Sequence, residues 1–152
     1  MKAIRFTAAY AALTAAHEVA DYWAQQDSDA VAKGRPGREG AAACARHVAG
    51  YTAVQAAALL GVSAYLGVRY DWRRAAAGLA VSALTHYAAD RCAGRWNDPG
   101  LTAPAVVRLA HRTGHGPWLS KDPGAGPLMD QAWHKGWVMV AAAVAAGGRV
   151  PS

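Results

Sequence analysis

The chain has 152 residues, of which 53% are hydrophobic and 17% charged, with a formal net charge of +6. That length suggests one domain, residues 1–152, large enough for a real core. The 16 Lys and Arg are scattered through connecting segments rather than stacked on one helix or interleaved with aromatics, so no nucleic-acid partner is expected. Mean hydropathy is +0.00 because much of the apolar share is alanine, a value low for leucine-rich membrane spans and high for an ordinary soluble enzyme.

Helix-forming composition dominates and β-branched clusters bounded by turns are almost absent, which predicts an all-α fold. A first helix is expected from about Ala3 to Gln25. Lys2 and Arg5 before the uncharged run Phe6 to Ala16 resemble a short signal peptide. Cleavage near Ala15 or Ala20 would detach His17 or both members of a His/Asp pair, so the segment is expected to stay. Residues 27–40, with Lys33, Gly34, Pro36 and Gly37, read as a turn-rich connection. A second helix, about Ala41 to Val68, is uncharged from Val48 onward, long enough to cross a bilayer. A third is expected from about Ala75 to Gly94. Arg95 to Pro127, rich in proline and glycine, reads as a long irregular loop with a short helix near Ala103 to His111. The last helix should begin near Leu128 and fade at Gly147 and Gly148. Short connections make an up-and-down four-helix bundle the default. Tyr22, Trp23, Tyr70, Trp72, Trp133 and Trp137 near helix ends favour a transmembrane bundle, with a soluble alanine-rich bundle as the alternative.

Three His/Asp pairs sit at i,i+4 spacing: His17/Asp21, His86/Asp90 and Asp130/His134. Residues four apart share a helix face, and composition alone would give only about 0.8 such pairs. His47 stands alone at the start of the second helix. Alternating helix direction would bring all of these to one end of the bundle. Ionisable groups there are costly unless paired or bound to an ion. The candidate metal ligands are therefore His17, Asp21, His47, His86, Asp90, Asp130 and His134. Nitrogen and carboxylate ligands without thiolate suit zinc, manganese or iron, and an open coordination position would give a hydroxide for ester or phosphodiester hydrolysis. The competing reading is a set of His-Asp hydrogen bonds that satisfy one another.

Glu18 points about 100° around the helix from His17 and reads as a solvated or capping charge. His111 and His115 read as loop residues because Gly114 and Gly116 should break the helix there. Cys44 and Cys92 lack C-x-x-C spacing and read as small thiols at the polar end, with ligation or a disulfide as alternatives. Lys33 and Arg35 flank a glycine on the same side and either contact an anionic headgroup or phosphate or are simply solvated.

The ordered set His17-Glu-Val-Ala-Asp21-Tyr-Trp-Ala-Gln25, Lys33-Gly34, His47 with Tyr51, His86-Tyr-Ala-Ala-Asp90 and Asp130-Gln131-Ala-Trp-His134 resembles domain of unknown function family 3307. Its members are small integral membrane proteins of bacteria and phages, and the alanine-rich form resembles the actinobacterial branch. The resemblance implies a membrane location and picks out the same polar residues without supplying a reaction. The long proline-rich stretch before Asp130 departs from the family's shorter pattern.

Three functions are thus expected in order. The first is a small polytopic membrane protein whose His/Asp cluster binds a divalent metal, as a hydrolase at the membrane surface or without catalysis. The second is a non-catalytic accessory protein with structural His-Asp pairs, and the third a soluble DNA-associated regulator. Membrane lipid is the expected partner, with protein partners left open. Ten of the 16 Lys and Arg fall on the polar-cluster side, which the positive-inside tendency assigns to the cytoplasmic face of the inner membrane.

Overall fold

Alanine-rich stretches bounded by turn residues fold as helices in the computed structural model, which describes residues 2–92 and 94–148 and has no strand among them. Helix α1 spans Lys2–Val19 and runs into a π-helical turn at Ala20–Ala24; α2 is Asp27–Ala32, α3 Gly37–Leu66 and α4 Trp72–Asp90. A 3₁₀ turn at Arg95–Asn97 precedes α5, Ala105–Ala110. A second π turn, His111–His115, leads to α6, Gly116–Lys121, and α7 is Ala125–Ala145.

Local chemistry sets the ends. α3 stops at Gly67, whose positive φ of 63° is the left-handed conformation glycine adopts most cheaply. Asp71 caps α4 by accepting from the Arg73 N–H at 2.9 Å. The four long helices close a ring, with α1 and α4 each packed against both α3 and α7. Tyr70 Oη donates to the Arg5 carbonyl at 2.9 Å and Arg5 Nη2 to the Gly148 carbonyl at 3.1 Å. The start of α1, the lead into α4 and the region just past α7 therefore meet at one end. The core between them is built of Ala9, Leu13, Leu59, Val138, Ala141 and Ala142, small enough for close helix approach. At Gly78 that approach is closest: an added Cβ would stand 2.6 Å from the Ala141 carbonyl oxygen.

Two stretches read as irregular are helical instead. Within 27–40, Asp27–Ala32 forms a helix that packs on α3, burying Ala32 and joining Asp29 to Arg46 by an ion pair. Two acidic residues in its first turn favour it locally, but packing decides, since six residues cannot hold a helix alone. The long Pro/Gly-rich loop expected before the last helix is likewise folded, and α7 begins at Ala125 rather than Leu128. It wraps a satellite core of Trp96, Ala103, Val107, Ala110, Leu119 and Ala125. Each large apolar side chain buried there contributes about 1.5–3 kcal/mol. Gly114, at φ 97°, makes the expected break between α5 and α6, after which Pro117 sits in the first turn of α6, where a missing N–H costs nothing.

Among the described residues one helix, Gly37–Leu66, is long and apolar enough to cross a membrane by length and composition.

Candidate metal centre

The ends of α1 and α4 and the starts of α3 and α7 meet at the opposite end of the molecule from Arg5, and there the polar residues gather. Asp21 lies in the π turn, where the wider helical ring re-aims side chains relative to an ordinary i,i+4 partner. Its Oδ2 is 3.6 Å from His17 Nε2, too long for a hydrogen bond, while Oδ1 is 3.2 Å from Nε2 of both His47 and His86. The expected pairing of Asp21 with His17 is kept as a 3.6 Å ion pair and joined by closer contacts across three helices. Asp90 keeps its expected partner: Oδ2 is 3.3 Å from His86 Nε2, and also 3.3 Å from His47 Nε2. The two imidazole nitrogens are 2.9 Å apart.

Asp21, His47 and His86, from three segments, each offer a ligand atom within 4.8 Å of the others, and Asp90 stands against the same two imidazoles from the end of α4. Around a tetrahedral ion with bonds of about 2.0–2.1 Å, neighbouring ligand atoms stand about 3.3–3.4 Å apart. Both inward oxygens, Asp21 Oδ1 and Asp90 Oδ2, are buried and lack a hydrogen-bond partner among the described residues. Buried polar atoms are seldom left so. Burial pushes the Asp21 carboxyl up, but the combined contacts from His47, His86 and His17 outweigh it and hold the group below the ordinary carboxylate range.

The remaining three predicted residues form the flank of the same cluster. His17 Nε2 lies 3.1 Å from Gln131 Oε1, and its ring centroid is 5.1 Å from that of His134. His134 stands with its ring centroid 4.3 Å from His86, and its Nε2 is 3.3 Å from Asp130 Oδ2. Asp130 Oδ1 accepts from Trp96 Nε1 at 3.2 Å. His17, His86 and His134 each offer a ring nitrogen within 4.8 Å of the others. This second group shares His86 with the first.

Several contributors lie outside the seven candidate ligands. Tyr51 stacks on His86 with ring centroids 3.9 Å apart, and its hydroxyl bonds Ser82 Oγ at 2.9 Å and accepts from Gln55 Nε2 at 2.8 Å. Gln55 and Ser82 are polar residues within otherwise apolar helix stretches, and that isolation was the available signal. Lys33 Nζ, from the end of α2, is 2.9 Å from Asp90 Oδ1, the outer oxygen, a pairing no spacing rule reveals. Glu18 pairs with Lys135 at 3.3 Å rather than standing free. His111 Nε2 lies 3.0 Å from the Trp96 carbonyl oxygen, and His115 is exposed; neither belongs to the groups within ion-binding distance. Cys44 and Cys92 are free thiols.

Two cavities flank the cluster. One of about 590 Å³ reaches Asp90 and Asp130 between Lys33, Arg35, Trp96 and the first turn of α7. The other, about 420 Å³, reaches His47 and Tyr51 past Ala24 and Arg46. A buried His/Asp cluster with access from solvent can bind a cation, hold a shared proton, or bring a bound ion to a ligand entering from either side.

No protein-family model, curated protein or solved structure matches the chain.

Proposed function

We propose that the chain is a small membrane-seated four-helix bundle that holds one divalent cation, zinc, manganese or iron, on Asp21, His47 and His86, with Asp90 beside them and a fourth position open. The observation that carries this reading is the convergence of Asp21 Oδ1 on the His47 and His86 nitrogens, with separations of 2.9–3.2 Å, beside Asp90 Oδ2 at 3.3 Å from both rings, with both oxygens buried and without a hydrogen-bond partner among the described residues. Lys33 offsets Asp90 from outside, but the inward oxygens still face each imidazole without a bonded proton. A dication relieves both at once. His17, His134, Asp130 and Gln131 then orient the ligand rings from behind. Hydrolysis of an ester or phosphodiester at the membrane surface is the chemistry such an ion would supply, by lowering the pKa of water on its open side.

The membrane part of the proposal rests on the outer surface. Only 22% of the apolar window of α3 is buried, so most of that helix faces outward, unlike the core helix of a soluble protein. Residues 6–16, 48–66, 75–89 and 136–145 of the four long helices carry no Lys, Arg, Asp or Glu, and Tyr10, Leu60, Leu84, Met139 and Val140 are exposed on that girdle. Tyr22 and Trp23 are exposed at the cluster end and Tyr65 and Trp72 at the other, as two interfacial belts would be. The resemblance to family 3307 implies the same location. By the positive-inside tendency, the basic residues around the cluster favour the cytoplasmic side of the inner membrane for that end.

The structural-network reading draws on contacts that need no ion: His17 with Gln131, and His47 with His86, where an imidazolium would supply charge to both aspartates. Metal analysis of the detergent-purified protein separates the two. Equimolar metal with a fall in Tm on chelation is expected; no bound metal and an unchanged Tm in chelator would leave the network. Partition into the aqueous phase without detergent, together with DNA binding, would instead favour the soluble regulator.

A further inference from the structure

We propose that the 590 Å³ cavity beside the cluster is an anion site, built to hold a phosphate group between Lys33, Arg35 and the first turn of α7, with Asp90 between it and the metal ion. The inference rests on the metal reading above and adds to it the class of ligand. Its first support is how the basic turn is held. Arg91 Nη1, from the residue after α4, donates to the carbonyls of Lys33 at 2.6 Å and Arg35 at 2.8 Å. That clamp fixes the backbone of the turn that carries both basic residues in the wall of the cavity, so the turn itself is already ordered when an anion binds.

The second support is the division of labour within Asp90. Its Oδ2 faces His47 and His86, while Oδ1, on the cavity side, takes the Lys33 ammonium at 2.9 Å. Without a cation, Lys33 is spent on neutralising that carboxylate. A dication on the Oδ2 side balances Asp21 and Asp90 together, and the Lys33 charge is then free for an incoming anion. Asp130, the other acid in the wall, is engaged elsewhere, accepting from Trp96 Nε1 at 3.2 Å with its second oxygen 3.3 Å from His134. Arg35 has 55% of its side chain exposed and pairs only with Glu39 at 3.5 Å, itself 77% exposed, an exchangeable surface contact. On the facing wall, Gly126 and Pro127 belong to the first turn of the 21-residue helix α7, whose positive dipole end also favours an anion. The volume suits a phosphate with a small organic substituent, whether a free phosphate ester or the headgroup of a phospholipid.

The coupling makes the proposal testable. Inorganic phosphate is titrated calorimetrically into detergent-purified protein, loaded with zinc or stripped by chelator, for the native chain, Arg35→Ala and Lys33→Gln. Binding to the loaded native chain is expected, at least tenfold weaker after stripping and at least tenfold weaker in either variant. Arg35→Ala should keep its full zinc content, because Arg35 touches no proposed ligand. A loaded protein that ignores millimolar phosphate, or variants that bind it as the native chain does, would overturn the anion site alone. Failure to take up zinc at all would overturn the metal reading and this inference with it. Reconstitution into phosphatidylcholine vesicles with and without phosphatidic acid separates the sources. Loss of phosphate binding only when phosphatidic acid is present indicates the lipid headgroup, and unchanged binding in both indicates a soluble phosphate.

Discussion

His47 and His86 bring their Nε2 atoms to 2.9 Å of each other in the buried interior, although 39 residues of chain separate them. Two imidazole nitrogens this close either share one proton or turn both lone pairs toward a third species, and the flanking Asp21 and Asp90 oxygens decide which is cheaper. A shared proton serves one nitrogen pair; an ion serves both nitrogens and the Asp21 oxygen, and its charge offsets Asp90 beside them.

Removal of one ligand should therefore act differently from removal of a supporting residue. His86→Gln is expected to abolish stoichiometric metal, because His86 lies 3.2 Å from Asp21 and 3.3 Å from Asp90. Gln131→Ala, which strips His17 of its side-chain partner, should weaken metal affinity only about 10–100-fold. Competition against a zinc-chelating dye measures both, and equal affinities in the two variants would place the ion elsewhere.

Acid stability should depend on Asp21. Its folded-state carboxyl is held below the ordinary range, so the stabilisation from its ionised form is complete above about pH 5 and is lost as pH falls through and below the unfolded value of about 3.9. In chelator, the native chain should lose more stability between pH 5 and pH 3 than Asp21→Asn does. Parallel losses in chemical denaturation at the two pH values would contradict this.

The glycines of the helices should separate into two classes. Gly78→Ala places a methyl 2.6 Å from the Ala141 carbonyl oxygen and 2.9 Å from the Ala145 Cβ, forcing α4 and α7 apart at a cost of about 1–3 kcal/mol. Gly61→Ala meets nothing within 4 Å and should stabilise α3 by about 0.5–1 kcal/mol. Thermal melts in detergent with opposite signs are the expected result.

Beneath the cluster, Tyr51→Phe should cost about 1–3 kcal/mol, because it takes a partner from both Ser82 and Gln55, which are themselves buried. The same melts, run in chelator, check the figure without a metal contribution; an unchanged Tm would mean the hydroxyl contact is energetically silent.

The girdle offers a test that does not involve the metal. Leu60→Lys and Leu84→Lys replace side chains that are each 71% exposed. On a water-facing surface such changes stay within about 0.5 kcal/mol, whereas a lysine at the centre of a membrane helix costs about 2.5–3.5 kcal/mol. Loss of protein from the membrane fraction is the expected outcome, and native yields in the aqueous fraction would count against a lipid-facing girdle.

The sequence by itself determined that the chain is helical and where its long helices lie, because alanine-rich, turn-bounded stretches leave few alternatives. It also singled out the seven His and Asp residues, since polar side chains in apolar helices stand out against their surroundings. Only the tertiary structure decided which of them meet. The spacing rule paired His17 with Asp21, and that pair is present at 3.6 Å, but from the π turn Asp21 also comes closer to His47 and His86, and Lys33 reached Asp90 from a helix that local propensity could not have formed. The residues before α7 were hidden for the same reason. Their short helices persist because Trp96, Val107 and Leu119 pack together, and that energy comes from contacts across the chain rather than from any run of neighbours.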